Sequence, residues 1–504
     1  MLRLVLGRSG SGKTDYIYEQ LAALVWGGES RAVLLVPEQY SFESERRLLA
    51  MFGPRLAAGV QVLSFTRLAE MVDRELGGAA GRPMDDITRM LLMSRALEEV
   101  GDRLTLYRRQ IDDQAYIRAM LGLVSECRQY AVTPKRLLET AEALPTGGTL
   151  RRKTEELALI FEAYEALAAN GYVDPQDALT RLAERMPQSA LLLDTAVFVD
   201  GFKGFTEQET GVLGGVFRKA RQTMVALCTD TLEEADGLSL FSAVTRTANR
   251  LVRLARENGV PVAAPVHLRE NRRTASPALA ALERGCFRPQ PTVYGEEAPE
   301  VEIACCAEVY EESALVARRI RRLLREEGLR CREIAVVARS LADYEGVLDA
   351  ALEREGIPFY MDRRQDILTD PLITLTQGAI RCAAVGWDGE ELLQMLKTGL
   401  LGFSPRSVAA LENYVYLWNI RGSGWRRDWD WNPEGLSVKA DEATARRLAW
   451  LNLLRRRAAR PLERLTAAFS RDGGRISGRR FGEAVYRYLQ EAQAPRLLRL
   501  QVRR

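Results

Sequence analysis

Eight residues near the start of the chain limit its fold more than any other feature. Gly7-Arg8-Ser9-Gly10-Ser11-Gly12-Lys13-Thr14 fits the pattern G-x-x-x-x-G-K-[S/T], whose backbone N–H groups can surround phosphate oxygens. An apolar strand at 2–6 precedes this phosphate-binding loop (P-loop) and a helical pattern at 15–24 follows it, as the motif requires. A flexible turn is the alternative, but chance supplies only roughly 0.004 such matches per chain. We therefore expect these eight residues to form a phosphate-binding site, with Lys13 at the β- and γ-phosphates and Thr14 on Mg²⁺.

The hydrophobic pattern around the loop predicts a parallel sheet, and hence an α/β fold. Apolar runs at 32–36 and 60–63 follow the first strand and its helix, which makes a β–α–β unit. Two later strands are predicted at 196–199 and 223–227. Between the strand at 60–63 and the strand at 196–199, residues of about 67–190 have helical spacing, so the first sheet domain carries a large helical insertion.

A second α/β pattern follows a proline-rich stretch. It predicts strands at 301–304 and 333–338 and helices at 311–326 and 344–355, and from 390 onward the chain is helical. A tryptophan-rich loop at Trp425, Trp429 and Trp431 interrupts these last helices. The predicted segments are a first sheet domain at 1–286, a linker at 287–300, a partial second sheet domain at 301–388 and a truncated helical subdomain at 389–504.

Composition excludes several classes of protein. The 504 residues are 47% hydrophobic and 28% charged, and no run of about 18 uncharged apolar residues predicts a membrane span. The seven cysteines are scattered, which predicts a reduced, cytoplasmic protein without a cysteine metal site. The single histidine, His267, excludes a multi-histidine metal centre, and we expect it on the surface or at a strand edge.

A second carboxylate is needed to complete a P-loop magnesium site. Asp200 follows the apolar run at 196–199, where it can complete that site, although a strand that merely ends in a turn aspartate is the alternative. ATP-hydrolysing relatives of such loops usually place a water-activating glutamate next, but here Gly201 follows. Nucleotide binding is therefore better supported by the sequence than rapid hydrolysis.

Two further elements carry candidate functional residues. Ser64, Phe65, Thr66 and Arg67 follow the strand at 60–63 and could hold a DNA single strand and stack a base, although a helix cap with a core phenylalanine is equally consistent. Arg339 ends the predicted strand at 333–338. In a two-domain ATPase such an arginine can stabilise the transferring phosphate, whereas alone it is typical of a surface residue.

The charge is distributed unevenly along the chain. Residues 446–504 contain 16 arginines and four acidic residues, a balance of +12, so the remainder carries −9 of the net +3. The pattern predicts a basic surface at the C-terminal end, with an ordinary solvated helix face as the alternative.

These motifs together resemble superfamily 1 DNA helicases of the UvrD/PcrA type, and residues 334–359 look like that family's fourth motif and its following helix. GRSGSGKT, LLVPEQYSFESE, VLSFTRLA, FVDGF and LITLTQGAIRC are more similar still to the B subunit of the AddAB (RexAB) helicase–nuclease. The resemblance implies two RecA-like domains, ATP and Mg²⁺, catalytic roles for Asp200 and Arg339, DNA contacts by the residues 64–67, and an AddA-type partner subunit.

The same resemblance implies a role in processing double-strand DNA ends for recombination. The nuclease carboxylates and iron–sulfur cysteines of that family belong to a C-terminal part beyond this sequence, so we expect neither a nuclease site nor a cluster in this chain. Two alternative functions stay open. One is a DNA-binding scaffold with a structural nucleotide, and the other is an unrelated P-loop NTPase.

Overall fold

The computed structural model of the chain describes residues 1–27, 31–57, 59–78, 81–233, 239–287, 293–362, 367–471 and 475–502. The chain divides into two compact units, Met1–Ile303 and Ala304–Arg504. The predicted linker at 287–300 falls within the first unit, and its residues 288–292 lie outside the described residues.

The described part of the first unit is built around a parallel sheet of six strands. They are β1 (Leu2–Gly7), β2 (Ala32–Leu35), β3 (Val60–Leu63), β6 (Ala196–Val199), β7 (Gln222–Leu227) and β8 (Val266–Leu268), while β4 (Arg82–Pro83) and β5 (Tyr172–Val173) form a separate short parallel pair. The order across the sheet is β3-β2-β6-β7-β1-β8. The five predicted strands are confirmed, whereas β8 was not predicted. His267 lies exposed on β8 at the sheet edge, as expected.

Helices cover both faces of this sheet. The helices of the first unit are, in chain order, α1 (Lys13–Trp26), α2 (Ser41–Ala57), α3 (Phe65–Glu75), α4 (Asp86–Val100), α5 (Gln114–Gln129), α6 (Pro134–Glu142), α7 (Thr149–Ala168), α8 (Ala178–Arg185), α9 (Glu207–Lys219), α10 (Ser242–Glu257) and α11 (Pro277–Gly285). Those that share a core with the sheet are α1, α2, α3, α8, α9 and α10. Alternate strand residues serve opposite faces. Leu4 of β1 packs in the core with α3, α8, α9 and α10, and Val5 packs in the core with α1 and α2.

The helical insertion has its own core. Met93, Leu97, Phe161 and Tyr164 are among the buried side chains that join α4, α5 and α7. The predicted helical character of residues 67–190 is therefore confirmed, with β4 and β5 as its only strands among the described residues.

The regular elements described in the second unit are helices. The helices are α12 (Val309–Glu326), α13 (Leu348–Arg354), α14 (Pro371–Ala384), α15 (Gly389–Lys397), α16 (Pro405–Leu417), α17 (Glu442–Phe469), α18 (Gly478–Glu491) and α19 (Ala494–Val502). The tryptophan-rich loop lies between α16 and α17. Trp425 and Trp429 are buried in the unit's main core, whereas Trp431 is half-exposed.

The second parallel sheet predicted for 301–388 is not observed in the described residues, and the strands predicted at 301–304 and 333–338 are wrong. Both segments lack the hydrogen-bonded neighbours of a strand. Their apolar side chains face solvent, since Ile303 is 93% exposed and Val337 is 91% exposed. An apolar run becomes a buried strand only when other strands flank it, and no strand in the described part of the chain flanks either segment.

Candidate nucleotide-binding site

The P-loop joins the end of β1 to the beginning of α1 with two glycines in the left-handed backbone conformation. The φ angles of Gly10 and Gly12 are 80° and 83°. A Cβ at Gly10 would lie 2.9 Å from Cβ of Arg273, and a Cβ at Gly12 would lie 3.1 Å from Cδ of Arg272. Glycine is therefore required at both positions by backbone conformation and by space.

A cavity of about 680 Å³ opens beside this loop. It lies at the carboxyl ends of the parallel strands, where α/β proteins bind their ligands. Its lining includes Ser9, Gly10, Gly12, Lys13, Thr14, Tyr40, Glu43, Arg47, Asp200, Gly201, Cys228, Arg272 and Arg273. Backbone N–H groups at a helix N-terminus, the Thr14 hydroxyl, the Asp200 carboxylate and five cationic side chains (those of Lys13, Arg47, Lys203, Arg272 and Arg273) make up a set that fits a nucleotide polyphosphate with Mg²⁺.

Lys13 lies at the N-terminus of α1 and faces this cavity. Its ammonium donates a hydrogen bond to the backbone oxygen of Arg8 at 2.8 Å. Burial lowers the pKa of Lys13 from its ordinary value, while the nearby Cys228 and Asp200 act in the opposite direction. The ammonium is thus partly desolvated, which strengthens its attraction for a bound phosphate.

Arg8 belongs to the motif, but its side chain does not line the cavity. Its Nε lies 2.9 Å from Oδ2 of Asp230, and its Nη1 lies 3.6 Å from Oε1 of Glu283 and 3.4 Å from the Glu283 carbonyl oxygen. The guanidinium also covers the ring of Phe241 at 5.1 Å. Arg8 therefore connects the P-loop to the segment after β7 and to α11, and we assign it to positioning the loop.

Asp200 lies directly after β6 and is 8% exposed. Its backbone N–H donates to the oxygen of Leu35, which places the residue at the cavity next to the end of β2. Gly201 has a φ of 82°, and a Cβ there would lie 3.2 Å from Cδ of Pro37 and 3.4 Å from Cδ2 of Tyr40. The backbone at position 201 therefore disfavours a glutamate.

Arg272 and Arg273 also line the cavity, although no sequence motif predicted them. The backbone N–H of Arg272 donates to the oxygen of Gly10 at 2.7 Å, and Nη1 of Arg273 donates to Oγ of Ser9 at 3.2 Å. Both arginines follow β8, which pairs with β1 and so ends beside the P-loop. Had β8 been predicted as a strand paired with β1, the arginines that follow it would have been expected beside the P-loop.

The residues predicted to contact DNA occupy the beginning of α3. Ser64 caps the helix, its Oγ accepting from the Arg67 backbone at 3.2 Å. Phe65 is 5% exposed and packs edge-on against Phe202 and Phe205, so it presents no ring face for stacking a base. The alternative of a helix cap with a core phenylalanine is confirmed for these two residues.

Thr66 and Arg67 remain exposed at the same helix start. The guanidinium of Arg67 is held by Glu45 at 2.9 Å and lies 3.9 Å from Glu38, both on the segment that follows β2. Arg339 is exposed in the second unit, while the P-loop belongs to the first. The roles predicted for Thr66, Arg67 and Arg339 stay predictions.

Comparison with known proteins gives consistent matches. A family model described as ADDB, N-terminal, matches residues 4–283. Three curated relatives are each named as the B subunit of an ATP-dependent helicase/deoxyribonuclease. The protein of Acetivibrio thermocellus is 32% identical over 469 residues, that of Symbiobacterium thermophilum 36% over 480, and that of Thermoanaerobacter sp. (strain X514) 30% over 501. These matches cover 92%, 92% and 98% of this chain.

The chain spans 41–43% of the length of these relatives. Within the described residues, no helix combines the length and apolar character that crossing a bilayer demands.

Proposed function

The chain belongs to the ADDB N-terminal family, and from that premise we propose that it is the ATP- and DNA-binding part of a helicase–nuclease subunit that processes double-strand DNA ends for recombinational repair. The relatives are named for an ATP-dependent helicase/deoxyribonuclease, of which each is the B subunit. Membership of this family also removes the alternative of an unrelated P-loop NTPase.

One observation supports ATP binding above the others. Lys13, Thr14, Asp200 and Arg273 line one cavity at the carboxyl edge of a parallel sheet, although they come from distant parts of the sequence. Lys13 and Arg273 would attract the phosphates, and Thr14 and Asp200 would hold Mg²⁺. When bound, the metal neutralises phosphate charge. The protein's part is to orient the polyphosphate through the backbone N–H groups of the P-loop.

Substitution of Lys13 tests this proposal. Lys13→Ala removes a charge-assisted hydrogen bond to phosphate, so we expect affinity for ATP in Mg²⁺ buffer to fall about 10–100-fold. Isothermal titration calorimetry measures the change, and Lys153→Ala, which alters an exposed lysine of α7, is the matched control. Equal ATP affinity in wild type and Lys13→Ala would contradict the proposal.

A second candidate is a DNA-binding scaffold in which the nucleotide binds without turnover. The left-handed backbone of Gly201 favours it, because that conformation disfavours a glutamate at the usual position of the water-activating residue. ATP hydrolysis in the presence of DNA separates the two candidates. Turnover above about 1 s⁻¹ that disappears in Lys13→Ala would favour a motor, and tight ATP binding without turnover would favour the scaffold.

The proposal extends to the chain's surroundings. Because each relative is named as one subunit of a larger enzyme, the names support a partner subunit, which we propose to be of the AddA type. Thr66 and Arg67 are exposed at the beginning of α3, directly after β3 of the same sheet, and we propose that they contact a DNA single strand. A cytoplasmic location agrees with the free cysteines. Arg339 stays proposed as a γ-phosphate contact.

A further inference from the structure

Helix α17 carries arginines along one solvent-exposed side. Arg457, Arg460 and Arg464 follow one another at intervals of three and four residues and are all exposed. Such spacing places them on one face of the helix. Arg446 lies on the same face about 27 Å from Arg464, at about 1.5 Å of rise per residue.

Two neighbouring helices extend this surface. Nη1 of Arg464 lies 2.9 Å from Oε2 of Glu491 at the end of α18, and Arg487 precedes Glu491 by one helical turn. A Cβ at Gly402 would lie 3.0 Å from Nη2 of Arg457 and 3.6 Å from Cδ1 of Leu497, so α19 passes beside Arg457. We define the basic face as the exposed residues Arg457, Arg460, Arg464, Arg487 and Arg496.

Few carboxylates neutralise this face. Glu491 pairs with Arg464, and the Arg457 guanidinium donates to the Gly402 carbonyl at 3.0 Å. For Arg460, Arg487 and Arg496, the described part of the chain supplies no acidic partner. Arg455 and Arg456 on the same helix are different, because both pair with Asp428. The basic face therefore retains an excess of positive charge at its surface.

We propose that the basic face binds the phosphate backbone of duplex DNA, an inference that rests on the proposed role in DNA-end processing. Duplex DNA offers a continuous array of charge, about one per 1.7 Å of helix axis, and arginines spread across three helices match such an array. Single-stranded DNA is normally held by aromatic stacking as well. Between Arg457 and Arg464, α17 exposes no aromatic side chain, and among the residues adjacent to Arg487 and Arg496 only Tyr486 presents an exposed ring.

Charge reversal on the full chain tests the inference. The variant Arg460→Glu/Arg487→Glu/Arg496→Glu changes the three arginines without acidic partners. The control Arg325→Glu/Arg332→Glu/Arg354→Glu makes the same change in net charge at exposed sites of the same unit. Fluorescence anisotropy measures the affinity for a fluorescein-labelled DNA duplex of about two to three turns and for a single strand of the same length. The titrations contain no nucleotide and are made at low and at physiological salt. Thermal unfolding checks that both variants fold, and Arg→Gln substitutions at the three positions replace the first variant if it does not.

We expect the basic-face variant to bind duplex at least about 10-fold more weakly, and its salt dependence to lose about one unit of slope per arginine. The control should stay within about two-fold of wild type. Equal weakening in both triple variants, or a loss confined to the single strand, would overturn the inference and leave the proposed function intact. Wild type that binds no duplex would also overturn it, and only that result would count against the proposed DNA role as well.

Discussion

The two units use their cationic side chains in opposite ways. In the first, Lys13, Arg272 and Arg273 converge on one cavity, and the loop that carries Lys13 is fixed by glycine geometry and by Arg8. In the second, the arginines of the basic face spread over three helices and stay in solvent. Convergent charge on a fixed backbone suits a small polyanion such as a nucleotide. Dispersed exposed charge suits an extended polyanion that is bound without positional precision.

Helix α17 allows the largest test of this contrast, because one of its arginines is buried. Arg455 donates to the oxygen of Trp425 at 2.8 Å and pairs with Asp428, beneath the tryptophan-rich loop. Arg455→Ala leaves that buried carbonyl without its donor, so we expect the free energy of unfolding to fall by about 2–3 kcal/mol. Urea denaturation followed by tryptophan fluorescence measures it. The control Arg460→Ala, at an exposed site of the same helix, should change the free energy of unfolding by less than about 0.5 kcal/mol. A similar loss of stability in the two variants would contradict the distinction between buried and exposed arginines of α17.

The same contrast explains what the sequence could predict. The P-loop residues, Asp200 and five strands of the first sheet (β1, β2, β3, β6 and β7) were predictable because motif and burial pattern are both local, and each of these strands pairs with a neighbour. Residues 301–304 and 333–338 have an equally apolar pattern, but pairing depends on other strands, so Ile303 and Val337 face solvent.

Contacts between distant segments were beyond the sequence pattern. Arg273 reaches Ser9 across 264 positions, and only the pairing of β8 with β1 brings the two together. Phe65 was equally consistent with a DNA contact and with the core until its packing against Phe202 decided for the core. The sequence patterns therefore predicted the residue types that form the site, and the sheet topology determined which of those residues come into contact.

Arg8 provides an intermediate test, because its charge stabilises the loop and does not enter the cavity. Arg8→Ala should weaken ATP binding about 10-fold by loosening a preorganised site. Asp230→Asn should have a similar effect, and the double variant should be little worse than either single one. Calorimetric ATP titration measures all three, with Arg31→Ala, an exposed arginine before β2, as the control. Additive losses would instead mean that Arg8 and Asp230 act independently, and would contradict positioning of the loop through this ion pair.

The smallest expected effect concerns the protonation of Lys13. Burial lowers the pKa of Lys13 below 10.5, and only the charged ammonium attracts phosphate. Affinity for ADP should therefore be constant near neutral pH and begin to fall, as pH rises, at a lower pH than an ordinary lysine would dictate. Titrations from neutral pH up to the ordinary lysine pKa of about 10.4 measure this decline, which should vanish in Lys13→Ala. Since Cys228 and Asp200 both oppose the shift, Cys228→Ser should move the decline slightly further toward neutral pH. If the decline in ADP affinity persists in Lys13→Ala, another group titrates in this pH range. Desolvation of Lys13 would then not explain how the cavity attracts its ligand.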